Sequence, residues 1–374
     1  MRKILTLISL ILCFALLLPF PIRAHASGVP SVSAKSAILI ESETGKVIYS
    51  KSSEVRLPMA STTKIMTAIV AIESCEDLTQ RFEIDRRAVG AEGSSIYLYE
   101  GERLSMEELL YGLMLASAND AALAIAYAVD GSVEKFADRM NKKARELGLE
   151  NTSFVNPNGL HDDSHYTTAH DLALITAYAL KNETFRAIVG TRKRAIPMQN
   201  GEGVRMLINH NRMLTLYDGA IGVKTGFTKR AGRCLVSAAE RNGMTLIAVT
   251  LNAPNDWRDH AALLDFGFSA YERLRFDDAS FDIPVISGEK DSIGVRQAIP
   301  LSVLISKERG EISCTVLLPR GVWAGVNEGE ILGEIIYECN GTVIARSPLV
   351  AEGSVKQKKY RSDLFEWIAS LFGY

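Results

Sequence analysis

Leu57-Pro58-Met59-Ala60-Ser61-Thr62-Thr63-Lys64-Ile65-Met66-Thr67-Ala68 is the stretch on which the reading of this 374-residue chain turns. Ile65, Met66, Ile69, Val70 and Ile72 recur at the spacing of a largely buried helix. Ser61 then falls at the helix start and Lys64 one turn on, on the same face. A serine hydroxyl is a weak nucleophile at neutral pH and needs a base within hydrogen-bond reach, about 2.6–3.2 Å. A neutral lysine meets that need, and burial beside a second cation is what keeps a lysine neutral. The free N–H groups of a helix start, including that of Ser61, also offer a seat for a developing oxyanion. Taken alone, Ser-x-x-Lys is as well read as an N-cap followed by a solvated lysine.

Two further strings follow in order. Ser117-Ala118-Asn119 lies between the apolar run Met106 to Leu115 and the run Asp120 to Ala126, a loop between two helices that can face a cleft. There Ser117 can pass a proton between Lys64 and a leaving amine, and the Asn119 amide can bind a substrate backbone group. The plainer reading is a helix-linking turn capped by Asn119. Gly222-Val223-Lys224-Thr225-Gly226-Phe227-Thr228 opens a run of antiparallel strands, Cys234 to Ala239 and Met244 to Leu251, joined by a hairpin at Asn242-Gly243. A cation and a hydroxyl on a strand edge can clamp a carboxylate, and Gly226 lets a substrate backbone approach closely. Lys224 is also the candidate second cation for Lys64. Each string is weak alone; the ordered set supplies a nucleophile, a base, a proton relay and an anion clamp.

With Phe154-Val155-Asn156-Pro157-Asn158-Gly159-Leu160 added, residues 35 to about 270 resemble the penicillin-binding serine DD-peptidases, specifically the low-molecular-mass D-alanyl-D-alanine carboxypeptidases of the peptidase S11 family. The resemblance implies an α+β, β-lactamase/transpeptidase-like catalytic domain. It implies that Ser61 is acylated by the penultimate D-Ala of a peptidoglycan stem peptide ending in D-Ala-D-Ala, that the terminal D-Ala leaves, and that water hydrolyses the acyl-enzyme. Lys64 is then the general base and Ser117 the relay. Asn119 and Lys224 orient the substrate, Lys224 and Thr225 hold the terminal carboxylate, and the N–H groups of Ser61 and Phe227, flanking Gly226, form the oxyanion hole. β-Lactam antibiotics are implied as covalent inhibitors. Two departures are small: Ala118 stands where glycine is frequent, and Phe227 occupies a variable position. A class A β-lactamase needs a deacylating Glu, usually in Glu-x-x-Leu-Asn between the second and third strings, and no such string occurs here. A DD-endopeptidase cutting cross-links uses the same groups, and a penicillin-binding scaffold without turnover is the non-enzymatic alternative.

The ends carry separate signals. Arg2 and Lys3, an apolar run from Ile4 to Phe20 and Ala24-His25-Ala26 read as a secretory signal peptide over residues 1–26, which places the mature protein at the outer face of the cytoplasmic membrane or in the cell wall. Its removal moves the formal charge from −2 to −5, which excludes nucleic-acid binding by bulk electrostatics. Domain boundaries are expected at 32–274 for catalysis and 277–355 for a small all-β sandwich, where short apolar runs alternate with turns such as Arg309-Gly310 and Asn340-Gly341. Residues 356–374 combine Lys356, Lys358, Lys359 and Arg361 with Leu364, Phe365, Ile368, Leu371 and Phe372, the pattern of an amphipathic helix lying on a membrane surface and too short to span it. Cys75, Cys234, Cys314 and Cys339 are too widely spaced for a zinc cluster or a small disulfide framework; two fall in each expected domain, which leaves pairing open, and the plainer reading is small buried hydrophobes. His161-Asp162-Asp163-Ser164-His165 reads as a turn leading to a helix cap, so no metal and no cofactor are expected.

Overall fold

Strands Ser36–Glu41, with every residue buried, and Met244–Leu251, with all but one, are apolar on both faces, so each must be covered on both sides. The computed structural model, which describes residues 28–198, 203–276, 279–358, 368 and 370–372, supplies that cover as three layers. The central sheet is antiparallel throughout, in the order Val47–Lys51, Ser36–Glu41, Met244–Leu251, Gly232–Arg241, Ala220–Thr228. The expected hairpin is present: Asn242 and Gly243 both have positive φ, 51° and 72°, as a two-residue connection requires. One face of the sheet packs Ile38, Ile40, Val236, Ile247 and Val249 against the helices. The other packs Leu39, Leu235, Leu246 and Ala248 under helix Asp256–Ala270.

On the helical side, Lys64–Ser74 is the innermost helix, buried from Lys64 through Ile72. Helix Met106–Leu115 starts at a reciprocal cap: Ser105 Oγ accepts from Glu108 N–H and the Glu108 carboxylate accepts from Ser105 N–H. It hands over through Ser117 to helix Asn119–Asp130, which Gly131 ends at φ 73°. The chain is thus an α+β, transpeptidase-like fold.

Strand Tyr271–Phe276 leaves helix Asp256–Ala270 across the expected boundary at 274 and pairs with Leu301–Ser306. Leu304 of that ribbon joins the Leu39/Leu246 cluster, while Phe276 and Leu301 lie against the next core, built from Val295, Ile335, Leu349 and Ala351. That core backs a six-stranded sheet in the order Ile312–Leu317, Ile331–Cys339, Thr342–Ala351, Ser292–Gln297, Ser280–Ile286, Val322–Trp323. The signal peptide and residues 359–367 of the amphipathic tail lie outside the described residues. Among the described residues no helix is long and apolar enough to cross a membrane.

Candidate active site

The serine turn departs from a simple helix start. Ala60–Thr63 is a 3₁₀ turn that feeds the α-helix at Lys64, entered through Ala60 at φ 48°. The turn is braced from behind by the loop Asn156 to Leu160. Asn156 Oδ1 accepts from Gly159 N–H at 2.7 Å, and Asn158 Oδ1 from Leu160 N–H at 3.0 Å. A Cβ on Gly159, whose φ is 87°, would lie 2.0 Å from the Ala60 carbonyl oxygen, so no side chain fits there. The sequence offered this loop only as a string of resemblance; the structure shows that it supports the serine and contacts the lysine.

Lys64 is fully buried. Its Nζ lies 3.0 Å from Ser61 Oγ, 2.6 Å from Asn119 Oδ1 and 2.6 Å from the Asn158 carbonyl oxygen. Burial pushes its pKa well below the ordinary lysine value, and Lys224 pushes it further against a smaller opposing pull from Asp120. Two carbonyl-type acceptors match the two N–H bonds of a neutral amine, which leaves the lone pair for the third neighbour, the serine hydroxyl.

The second string forms the facing corner. Ser117 sits at φ 58° on the cleft wall, and helix Asn119–Asp130 begins directly after Ala118. The Asn119 amide is more committed within the protein than the sequence suggested. Its oxygen accepts from Lys64 and its nitrogen donates to the Glu92 carbonyl, so one N–H remains for a ligand. Asp120 pins the adjoining loop, accepting from Ser95 Oγ at 2.6 Å, Leu98 N–H at 3.1 Å and Ala121 N–H at 2.9 Å. Nothing in the sequence marked Asp120 for this task.

The third string lies on the sheet's edge strand, Ala220–Thr228. Thr225, Gly226 and Phe227 join Ser61, Ser94, Ser117, His210 and Arg212 around a cleft of about 450 Å³. Lys224 stands one layer behind that wall, 1% exposed, donating to the Thr225 carbonyl at 3.0 Å. Burial lowers its pKa to about 7. Thr225 lines the cleft, and Lys224 does not. The far wall was not foreseen. Arg233, opposite Phe227 in register, grips Asp256 with two hydrogen bonds of 3.0 Å beneath Trp257.

His165 belongs to the support of this site. Its Nδ1 accepts from Val155 N–H at 3.1 Å, so Nε2 carries the proton toward Thr63 Oγ1 at 2.8 Å, and Thr63 in turn donates to the Ala60 carbonyl. His161 instead pairs with Asp163 at 3.4 Å. Cys234 is buried as expected, its thiol pushed up to about 12 by burial. Cys314 contradicts the expectation of a buried hydrophobe: it is exposed, because its strand Ile312–Leu317 lies at a sheet edge with little covering it.

Comparison with known proteins gives the chain its family. The peptidase S11 model, described as D-alanyl-D-alanine carboxypeptidase, matches residues 23–255. D-alanyl-D-alanine carboxypeptidase DacF of Bacillus subtilis is 36% identical over 336 residues, 87% of this chain and 86% of that protein. The D-alanyl-D-alanine carboxypeptidase of Streptomyces sp. strain K15 is 35% identical over 264 residues, 66% of this chain and 91% of its own. The crystal structure of penicillin binding protein 5 from Haemophilus influenzae superposes with a TM-score of 0.70 at 26% identity, covering 88% of this chain and 99% of that one. The chain belongs to the peptidase S11 family of serine-type D-alanyl-D-alanine carboxypeptidases.

Proposed function

We propose that Ser61 is the nucleophile that removes the terminal D-Ala from peptidoglycan stem peptides, with Lys64 as its base. The observation that carries this is the environment of Lys64: a buried amine with a depressed pKa, two carbonyl acceptors, and a serine hydroxyl 3.0 Å away. The lone pair takes the Ser61 proton as Oγ attacks the carbonyl of the penultimate D-Ala. The N–H groups of Ser61 and Phe227 receive the oxyanion. Gly226 brings strand and turn together, since a Cβ there would lie 3.0 Å from Ser61 N. Ser117 passes the proton to the departing amine, on the cleft wall it shares with His210, whose backbone N–H donates to the Leu115 carbonyl. Thr225 takes the terminal carboxylate under the positive field of Lys224. Water enters where the amine left and Lys64 acts again as base, releasing the shortened peptide.

The loop behind Ser61, residues 154–168, contains no glutamate. Lys64 instead meets the Asn158 carbonyl there, which favours slow loss of a penicilloyl group over β-lactamase turnover. Residues 1–26 would export the chain and residues 356–374 would hold it at the membrane surface, with the all-β segment after residue 277 as a spacer that presents the cleft to the wall.

Mass spectrometry tests the reading. The chain from residue 27 is incubated with diacetyl-L-Lys-D-Ala-D-Ala and, separately, with a cross-linked muropeptide dimer. Loss of one D-Ala from the tripeptide with the dimer intact is expected. Cleavage of the dimer would make the enzyme an endopeptidase, and penicillin labelling of Ser61→Ala at another residue would remove Ser61 as nucleophile.

A further inference from the structure

A second cleft, of about 470 Å³, opens past the edge strand at Arg230 and Ala231 and runs to the ends of two inner strands at Lys35 and Asn252, and nothing in the acylation chemistry uses it. Its walls come from Leu57 and Pro58, just ahead of the serine turn, and from Arg230 and Ala231, just past Phe227 and Thr228. The loop His161 to Tyr166 closes the opposite side. Three cations face it without an acidic partner. Arg56 is held by neutral groups, its guanidinium 2.9 Å from Asn151 Oδ1 and 5.0 Å from the Tyr166 ring centroid. The Arg230 and Lys35 side chains have no hydrogen bond or ion pair among the described residues. The rim also carries two acids, Asp162, which accepts from Ser164 N–H at 2.7 Å, and Asp163, beside His161, so the three cations leave the cleft one net positive charge.

Strand polarity says what reaches this cleft. A substrate laid antiparallel on the free edge of Ala220–Thr228 places its C-terminal carboxylate near Thr225 and its scissile carbonyl at Phe227. Its upstream residues then run past Thr228 toward Arg230. At about 3.3 Å per residue, the second residue upstream of the penultimate D-Ala lies roughly 7 Å farther along. In a stem peptide that residue is a D-glutamate linked through its γ-carboxyl, which leaves its α-carboxylate free.

We infer that the cleft bounded by Arg56, Arg230 and Lys35 is a donor-side subsite that reads this free carboxylate, so that the enzyme prefers stem peptides with an anionic second residue over their amidated forms. The inference rests on the carboxypeptidase reading above and adds a specificity determinant to it.

The test compares kcat/KM for L-Ala-γ-D-Glu-L-Lys(acetyl)-D-Ala-D-Ala and for the same peptide with γ-D-isoglutamine, using D-Ala release from the full mature chain. Diacetyl-L-Lys-D-Ala-D-Ala is run alongside. The acid is expected to exceed the amide by about tenfold, the effect of one charge-assisted hydrogen bond at a partly open site. Arg230→Gln should bring the ratio close to one, Arg230→Glu should invert it, and Arg230→Lys should keep part of it. Equal rates for acid and amide in the wild-type enzyme, with the short peptide turned over, overturn the subsite and leave the carboxypeptidase reading intact. An acid preference that survives Arg230→Glu overturns it as well. If no peptide is cleaved, both readings fall.

Discussion

Replacing Gly226 by alanine separates catalysis from folding at one atom. A Cβ at that position would lie 3.0 Å from Ser61 N, 3.1 Å from Thr62 N and 3.2 Å from Ala60 Cβ. Relaxed contacts of carbon with such atoms lie at about 3.5–4.0 Å, so the strand and the serine turn must separate by roughly half an ångström. None of the three atoms sits on a side chain that can swing away. The displaced group is an N–H assigned to the oxyanion, and such donors act only within about 2.7–3.1 Å of the developing charge. Losing one costs about 10²–10³ in rate, and a partial displacement on both sides of the hole predicts about a 10²-fold slower acylation. Overpacking of this size costs about 1–3 kcal/mol of stability, little enough for the variant to fold. Stopped-flow labelling with a fluorescent penicillin gives the acylation rate constant, and urea unfolding gives the stability. A Gly226→Ala enzyme that acylates within threefold of wild type at unchanged stability would refute both the contact and the assignment of Ser61 N–H to the oxyanion hole.

Three other outcomes follow from buried charge. Acylation needs neutral Lys64, so its rate should fall as pH drops through the depressed Lys64 pKa. Lys224→Gln removes a cation that lowers that pKa and should move the acid limb to higher pH; an unmoved limb would exclude Lys224 from this role. His165 is held neutral, its pKa lowered from 6.5 to about 4, chiefly by burial. Its contribution to stability is therefore complete above pH 6.5 and is lost as pH falls toward 4, by about 3 kcal/mol in all. Unfolding curves at pH 7 and pH 4 should show a smaller difference in His165→Asn, and an identical difference would contradict the linkage. Glu102 is fully buried against Arg205, whose Nη2 lies 2.8 Å from Oε2 and 3.0 Å from the Tyr97 carbonyl. Arg205→Leu should cost about 3–5 kcal/mol by leaving that carboxylate unpaired, and Glu102→Leu added to it should restore most of the loss; a cost under about 1 kcal/mol would sink the argument.

What could be read from the sequence depended on whether a feature announces itself locally. The Lys64–Ser74 helix was legible because its apolar residues recur over several turns, and the Gly232–Arg241/Met244–Leu251 hairpin because Asn-Gly tolerates two positive φ values. The three strings were legible because the side chains proposed for the chemistry stand in the sequence itself. The second acceptor on Lys64 was not, since the Asn158 carbonyl is a backbone group that any residue could supply. Positive φ at Ala60 and Ser117 was hidden for the converse reason: tertiary contacts impose it on residues that do not favour it. The Arg233–Asp256 and Arg205–Glu102 pairs join residues 23 and 103 positions apart, beyond any local pattern.

The proposed base, Lys64, shows most clearly why folding is part of the chemistry. Lys64 and Lys224 are both buried, and the carboxylate that opposes the shift of Lys64, Asp120, is already engaged by the Ser95 hydroxyl and by backbone N–H groups at Ile96, Leu98 and Ala121. Two protonated lysines would leave buried charge uncompensated, at several kcal/mol per ion. Shedding a proton from Lys64 relieves this. Local geometry favours Lys64 as the one that gives it up: two carbonyl-type oxygens satisfy its N–H bonds, while the serine hydroxyl can use the exposed lone pair. Among the described residues, the hydrogen bond Lys224 makes is to one carbonyl, that of Thr225. A Ser-x-x-Lys string in a solvated helix would hold an ordinary charged lysine. The same four residues fit the proposed nucleophile and base only when a sheet strand, a helix junction and a backbone carbonyl converge on one amine.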